Sequence, residues 1–386
     1  MTAASPWIEK WLAAWDLTSQ RILRLPDAPA PEIVFYDSSC VYTTSGVTAL
    51  GAAPVDGPAL RGTRLPWRAL AHGGSLTLPD SSQVPIQLMS FTNVAPEIGP
   101  FFVMAAPSYW AQMGHGETPG LTGVFLHEFA HTRQIRGMAD KIGPIDSTWP
   151  YPEELDDDAV QTHFGADSEY VAAYTAERDL LYRAADADSL AQVRALAAEA
   201  LAMMRSRHAR WFTGDKAVFA ELDNIFLTLE GVGQWSAYAW LAHPDGGGLE
   251  RDAAIKTMLG RRRWWAQDEG LALFLVVDRL LPEWPTLAFS VPSMGATELL
   301  ERAVEDTAGN TSWDSRSRRQ IRSGLSISGC RGRLPGEARS LTTVIRLRKR
   351  GTSCRTSRES PRACGSTIRP KRPPTSMSVS SRIPGS

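Results

Sequence analysis

Two histidines and a glutamate, His127, Glu128 and His131, stand in the order His-Glu-x-x-His. On a helix, residues four apart lie on one face, a turn above each other. Both imidazoles then reach one metal ion, and Glu128 falls on the adjoining edge, where a carboxylate can hold a water beside that metal. Such a set activates water for hydrolysis, with the glutamate as general base.

The chain around the three residues predicts the helix they need. Thr118 suits an N-cap and Pro119 the first helical position. Leu121, Val124 and Phe125 have the spacing of a core-facing stripe, and Gly137 reads as a stop, with Arg133 and Arg136 in the last turn. The segment Val124-Phe125-Leu126-His127-Glu128-Phe129-Ala130-His131-Thr132 resembles the zincin metallopeptidases. It departs from them at Arg133, where those families carry an apolar residue. The resemblance covers about one helix. It implies Zn²⁺ as cofactor, His127 and His131 as ligands, Glu128 as general base and a peptide or protein as substrate.

Catalytic zinc takes three protein ligands and keeps one position for water. A third histidine at the metzincin spacing is absent, because Gln134 and Gly137 stand where that pattern has Gly and His. The third ligand is therefore expected from a carboxylate on another helix, as in the gluzincins. Glu230 is the leading candidate. Leu229-Glu230-Gly231-Val232-Gly233-Gln234-Trp235 resembles the segments that supply this ligand in several gluzincins, although Gly233 and Gln234 are not their standard form. The surrounding stretch is strongly apolar, and a lone carboxylate there must be paired or metal-bound. Gly231 and Gly233 cost helix stability, which suggests that another backbone or the motif helix comes close. Two rivals share the segment 168–186: Glu177, in a stripe with Tyr170, Tyr174 and Leu181, and Glu169 at its start. Glu177 also suits a hydrogen bond to a ligating histidine. Tyr238, two turns beyond Glu230, is a candidate donor to the oxyanion of the reaction. His115, His163 and His208 are weaker candidates for that task.

These residues need a scaffold. Residues 6–25 read as an amphipathic helix with Trp7, Ile8, Trp11, Leu12 and Trp15 at helical spacing, and Glu32–Ser45 favours strand. Residues 46–72 look loop-like. Ser75–Leu78 and Val84–Phe91 read as strands, and Phe101–Ala106 is a short apolar segment before the motif. In zincins a strand at the sheet edge pairs with extended substrate, so Phe101–Ala106 or Val84–Phe91 is expected to do so here. After residue 150 the chain reads as helices over 152–163, 168–186, 188–209, 215–242, 249–260, 265–281 and 294–308. The expected fold is α+β and zincin-like: a mixed-sheet half over 1–149 carrying the motif helix, then a helical half over 150–312 supplying the third ligand.

Residues 313–386 differ in kind. From Asp314 onward there are 18 Lys and Arg against 3 Asp and Glu, a net of +15, so residues 1–313 carry −16. No aromatic residue follows Trp313. The composition predicts a disordered tail, and its abrupt onset is what out-of-frame translation of GC-rich DNA would produce. A nucleic-acid-contacting tail on a non-catalytic zinc-containing binding protein is the alternative function. The cluster Arg261-Arg262-Arg263-Trp264-Trp265 reads as a solvated helix end rather than a nucleic-acid surface. Cys40 is the only cysteine before the tail, which leaves no disulfide framework within the body. No signal peptide or membrane span is legible, so a cytoplasmic protein is the expectation, or an exported one if the true start lies upstream. Oligomeric state is not legible.

Overall fold

The computed structural model describes residues 6–95, 97–114, 119–152, 155–259 and 263–305. Helix α1 (Pro6–Asp16) continues as a wider π-helical turn, Leu17–Ile22. Its apolar spacing buries Ile8, Trp11, Leu12 and Trp15. Trp11 stacks on Phe125 with centroids 5.1 Å apart, and Trp15 meets Phe129 edge-on at 5.2 Å.

Among the described residues seven short strands follow: β1 (Glu32–Tyr36), β2 (Cys40–Thr43), β3 (Arg68–Ala71), β4 (Ser75–Thr77), β5 (Gln83–Pro85), β6 (Ser90–Ala95) and β7 (Gly99–Ala105). The main sheet has the order β3-β2-β1-β7-β6. Only β1 and β7 run parallel, Glu32 opposite Phe101 through Tyr36 opposite Ala105. These two central strands are nearly unbroken runs of buried apolar residues, as strands covered on both faces must be. Asp37 turns β1 into β2 by accepting from the amides of Ser39 and Cys40. β4 and β5 form a separate two-stranded ladder.

Three strand expectations need correction. Phe101–Ala106 is no edge: β7 lies between β1 and β6. Val84–Phe91 is not one strand but splits into β5 and the start of β6. Arg68–Ala71, read as loop, pairs with β2. The outer strand beside the motif helix is therefore β6.

Helix α2 (Pro107–Gln112) leads to α3 (Pro119–Ser147), which carries the motif. Gly137 does not stop α3, which continues for ten residues. A Cβ at Gly137 would lie 3.1 Å from the Ser290 carbonyl oxygen, so this glycine permits a close approach instead. Thr118, the expected cap, lies outside the described residues. Arg133, the departure from the zincin pattern, reaches out to donate to the carbonyl of Pro26 at 3.0 Å.

The helical half comprises α4 (Ala159–Phe164), α5 (Ser168–Asp186), α6 (Leu190–Trp211), α7 (Val218–Ala242), α8 (Arg251–Leu259), α9 (Trp265–Leu280), α10 (Trp284–Ala288) and α11 (Ala296–Glu305). A 3₁₀ turn at Gly214–Lys216 precedes α7, which then runs unbroken to Ala242. The main core runs from Ile8 to Ala303, through both halves. No described helix is long and apolar enough to cross a membrane. The tail lies outside the described residues, as do Arg261 and Arg262. The chain is thus a mixed α/β fold: a five-stranded mixed sheet followed by a mostly helical remainder.

Candidate metal centre

Helix α3 is held on both sides. Phe125 and Phe129 pack against Phe102 of β7, at 5.7 and 5.1 Å between centroids. Two residues further on at 100° each, His127 and His131 point about 200° away. That face meets α7. From the sheet side, Thr92 of β6 donates to the Glu128 carbonyl at 2.7 Å and fixes the helix against the outer strand.

His127 Nε2 and His131 Nε2 lie 3.3 Å apart. Glu230, from the middle of α7, places Oε2 3.1 Å from His127 Nε2 and Oε1 3.6 Å from His131 Nε2. All three are buried, at 4%, 7% and 2% exposure. A Glu128 carboxylate oxygen lies within 4.8 Å of the histidine nitrogens, in a group that could hold a metal ion. The structure thus brings Glu230, 99 residues distant in sequence, onto the two histidines.

The donor spacing can be tested against zinc. Metal–ligand bonds of about 2.0–2.1 Å at tetrahedral angles put neighbouring ligand atoms about 3.3 Å apart. The observed 3.3 Å between the histidines, and 3.1 and 3.6 Å from them to the two separate Glu230 oxygens, fall around that value. Electrostatics agree. Burial, and next the neighbouring His127, lower the His131 pKa to about 4, so its ring is neutral with a lone pair to give. Burial would raise the Glu230 carboxyl, but His127, His131 and Gln267 together hold it below the usual range, so it is ionised. Two further carboxyls crowd beside it and hold on to their protons. Burial, Asp156 and Glu230 push Asp158 up to about 7, and burial and Glu230 raise Asp157 well above the carboxylate range. A dication between the histidines and Glu230 would offset the Glu230 charge and favour ionisation of those two carboxyls.

Two glycines let the helices close this tightly. A Cβ on Gly233 would lie 2.7 Å from His127 Nδ1, and one on Gly231 would lie 2.8 Å from the Gly270 carbonyl oxygen. Two residues apart on α7, they face opposite ways: Gly233 toward the histidines of α3, Gly231 toward the backbone of α9.

The rival carboxylates are engaged elsewhere. Glu177 takes a two-pronged bond from buried Arg207, at 2.9 and 3.0 Å. Glu169 is exposed and paired with Arg210. Tyr238 is half-buried, and its hydroxyl oxygen accepts from Arg251 of α8, with Asp278 and Asp252 near. His163 packs on Tyr151 and Phe219, and His208 bonds Asp223 at 2.8 Å. His115 lies outside the described residues.

Sequence reasoning missed the glutamines. Gln134 Oε1 lies 3.1 Å from His131 Nδ1. Gln267 Nε2 donates to Glu230 Oε2 at 2.9 Å, and its own Oε1 accepts from Gln234 Nε2 at 2.9 Å. Gln134 was findable, since it sits three residues from His131 on the same helix face. Gln267 was not, because nothing local ties α9 to Glu230.

No family model, no curated protein and no solved structure matches this chain. The functional reading therefore rests on the geometry of the centre itself.

Proposed function

We propose that the chain is a zinc-dependent hydrolase of the gluzincin kind, acting on peptide bonds. The observation that carries this reading is the convergence of His127 Nε2, His131 Nε2 and the Glu230 carboxylate, one oxygen of which faces each histidine. Zinc held there would polarise a substrate carbonyl and lower the pKa of a coordinated water to about 7. Glu128, beside the ligand nitrogens, would serve as the base that accepts a proton from water and returns it to the leaving amine. The outer strand β6, fastened to the helix through Thr92, is the edge on which an extended peptide would pair.

A second reading is a zinc-containing binding protein without catalysis. The deep burial of all three donors favours it, because a catalytic zinc needs an open position for substrate. One experiment separates the two. The purified chain is loaded with zinc, freed of excess metal and assayed on a peptide library. A hydrolase holds one zinc and cleaves; Glu128→Gln keeps the metal and loses turnover by about 10²-fold or more, and His127→Ala loses both. Full activity in the Glu128→Gln variant would refute the assigned base. Stoichiometric zinc with no cleavage of any peptide would favour the binding protein.

A further inference from the structure

The candidate ligands are gripped by neutral amides. His131 Nδ1 faces Gln134 Oε1 at 3.1 Å, and Gln134 Nε2 donates to the Thr228 carbonyl at 3.4 Å. A glutamine oxygen can only accept, so Nδ1 must carry the proton there and the Nε2 lone pair is left facing His127 and Glu230. On the other side, Gln234 donates to Gln267 and Gln267 donates to Glu230 Oε2. His127 differs: among the described residues its Nδ1 has no hydrogen-bond partner, and it rests against Gly233. Packing alone holds that edge of the ring, while Nε2 faces Glu230.

Resting on the zinc reading above, we infer that Gln134 and Gln267 are positioning residues for the metal: Gln134 fixes the His131 tautomer and Gln267 fixes the Glu230 carboxylate, without adding charge. The lack of charge matters. With Zn²⁺, two neutral imidazoles and one carboxylate, the centre keeps a net charge of +1, which favours ionisation of bound water. A carboxylate at position 134 would hold the same tautomer, make the imidazole a stronger donor and reduce that charge.

The test is zinc affinity by chelator competition, with the metal-free melting temperature as a control for folding. Gln134→Met and Gln267→Met are each expected to weaken zinc binding by about 10–100-fold. Gln134→Glu loses the bond to Thr228 but keeps the acceptor for Nδ1, and is expected to bind zinc at least as tightly as the parent chain. A purely structural role would weaken both position-134 variants alike, since both lose the Thr228 bond. Equal loss in Gln134→Glu and Gln134→Met therefore overturns the inference, as does unchanged affinity in Gln134→Met and Gln267→Met. A parent chain that binds no zinc overturns the centre itself, a result distinguishable because it precedes any substitution.

Discussion

His131 is buried in a place that suits it only as a neutral ring, and this has a consequence for the metal-free chain. Its pKa falls from an ordinary 6.5 to about 4, through burial first and the neighbouring His127 second. In the unfolded chain it takes up a proton near pH 6.5; in the folded chain it resists to about pH 4. A depressed folded pKa contributes stability that is present above the unfolded value and lost as pH falls through the folded one. Between pH 6.5 and 4 the metal-free chain should lose about 3 kcal/mol from this group. Urea unfolding of the chelated protein, repeated across that range, measures it. The drop should shrink in His131→Gln, and an equal drop in parent and variant would remove His131 as its source. The His-Glu-x-x-His motif and Glu230 were legible because each is a local pattern: two rings one turn apart, and a lone acid in an apolar helix. Tyr238 was chosen by the same local reasoning. Eight residues turn an α-helix by about 80° beyond two full turns, and the bond its hydroxyl takes from Arg251 is with another helix that no local pattern could name.

At the scale of elements, α5, α6, α7 and α9 are joined through one buried cation. Arg207 of α6 bonds Glu177 of α5, Asp223 of α7 and Glu269 of α9, at distances from 2.9 to 3.3 Å, and donates to the Tyr170 hydroxyl at 2.7 Å. Burial, followed by Glu177, raises Glu269 well above the carboxylate range, so Arg207 faces fewer full negative charges than its partner list suggests. The stripe of Tyr170, Tyr174 and Glu177 correctly marked a buried acid. It could not reveal the neutralising partner, because Arg207 lies 30 residues away on another helix. Removing one partner of a buried ion pair leaves the others unpaired, which costs about 3–5 kcal/mol. Arg207→Met should therefore lower the unfolding free energy by that order, read from its urea midpoint. A loss below about 1 kcal/mol, the range of surface pairs, would mean that the network is not a principal tie among these helices. The glycines are the other inter-element device. Gly231 and Gly233 signalled close approach in the sequence, but which neighbour each one admits became clear only once α3 and α9 were placed on either side of α7.

For the whole molecule, the −16 of residues 1–313 and the +15 of the remainder nearly cancel, leaving a net of −1. The division into a sheet half and a helical half was legible from the change in periodicity near residue 150. That the halves share a core was not, since contacts between α3 and α7 join residues about a hundred positions apart. The division of charge raises the question of whether the basic segment serves the metal centre. The donors and the side chains that orient them, Thr92, Gln134, Gln234 and Gln267 included, all lie between residues 92 and 267. A chain ending at Trp313 retains every one of them. It should bind zinc with a dissociation constant within about threefold of the full chain, and so keep the same metal-linked gain in melting temperature. It should also be the more soluble form, because its net charge moves from −1 to −16. A nucleic-acid-contacting tail makes the opposite demand: the full chain would bind a DNA or RNA oligomer with a steep salt dependence, and truncation would abolish that binding. Chelator titration of both chains, with oligomer binding at two salt concentrations, decides it. Loss of zinc on truncation would mean that the basic segment supplies part of the centre, and the assignment of Glu230 as the third ligand would then have to be revised.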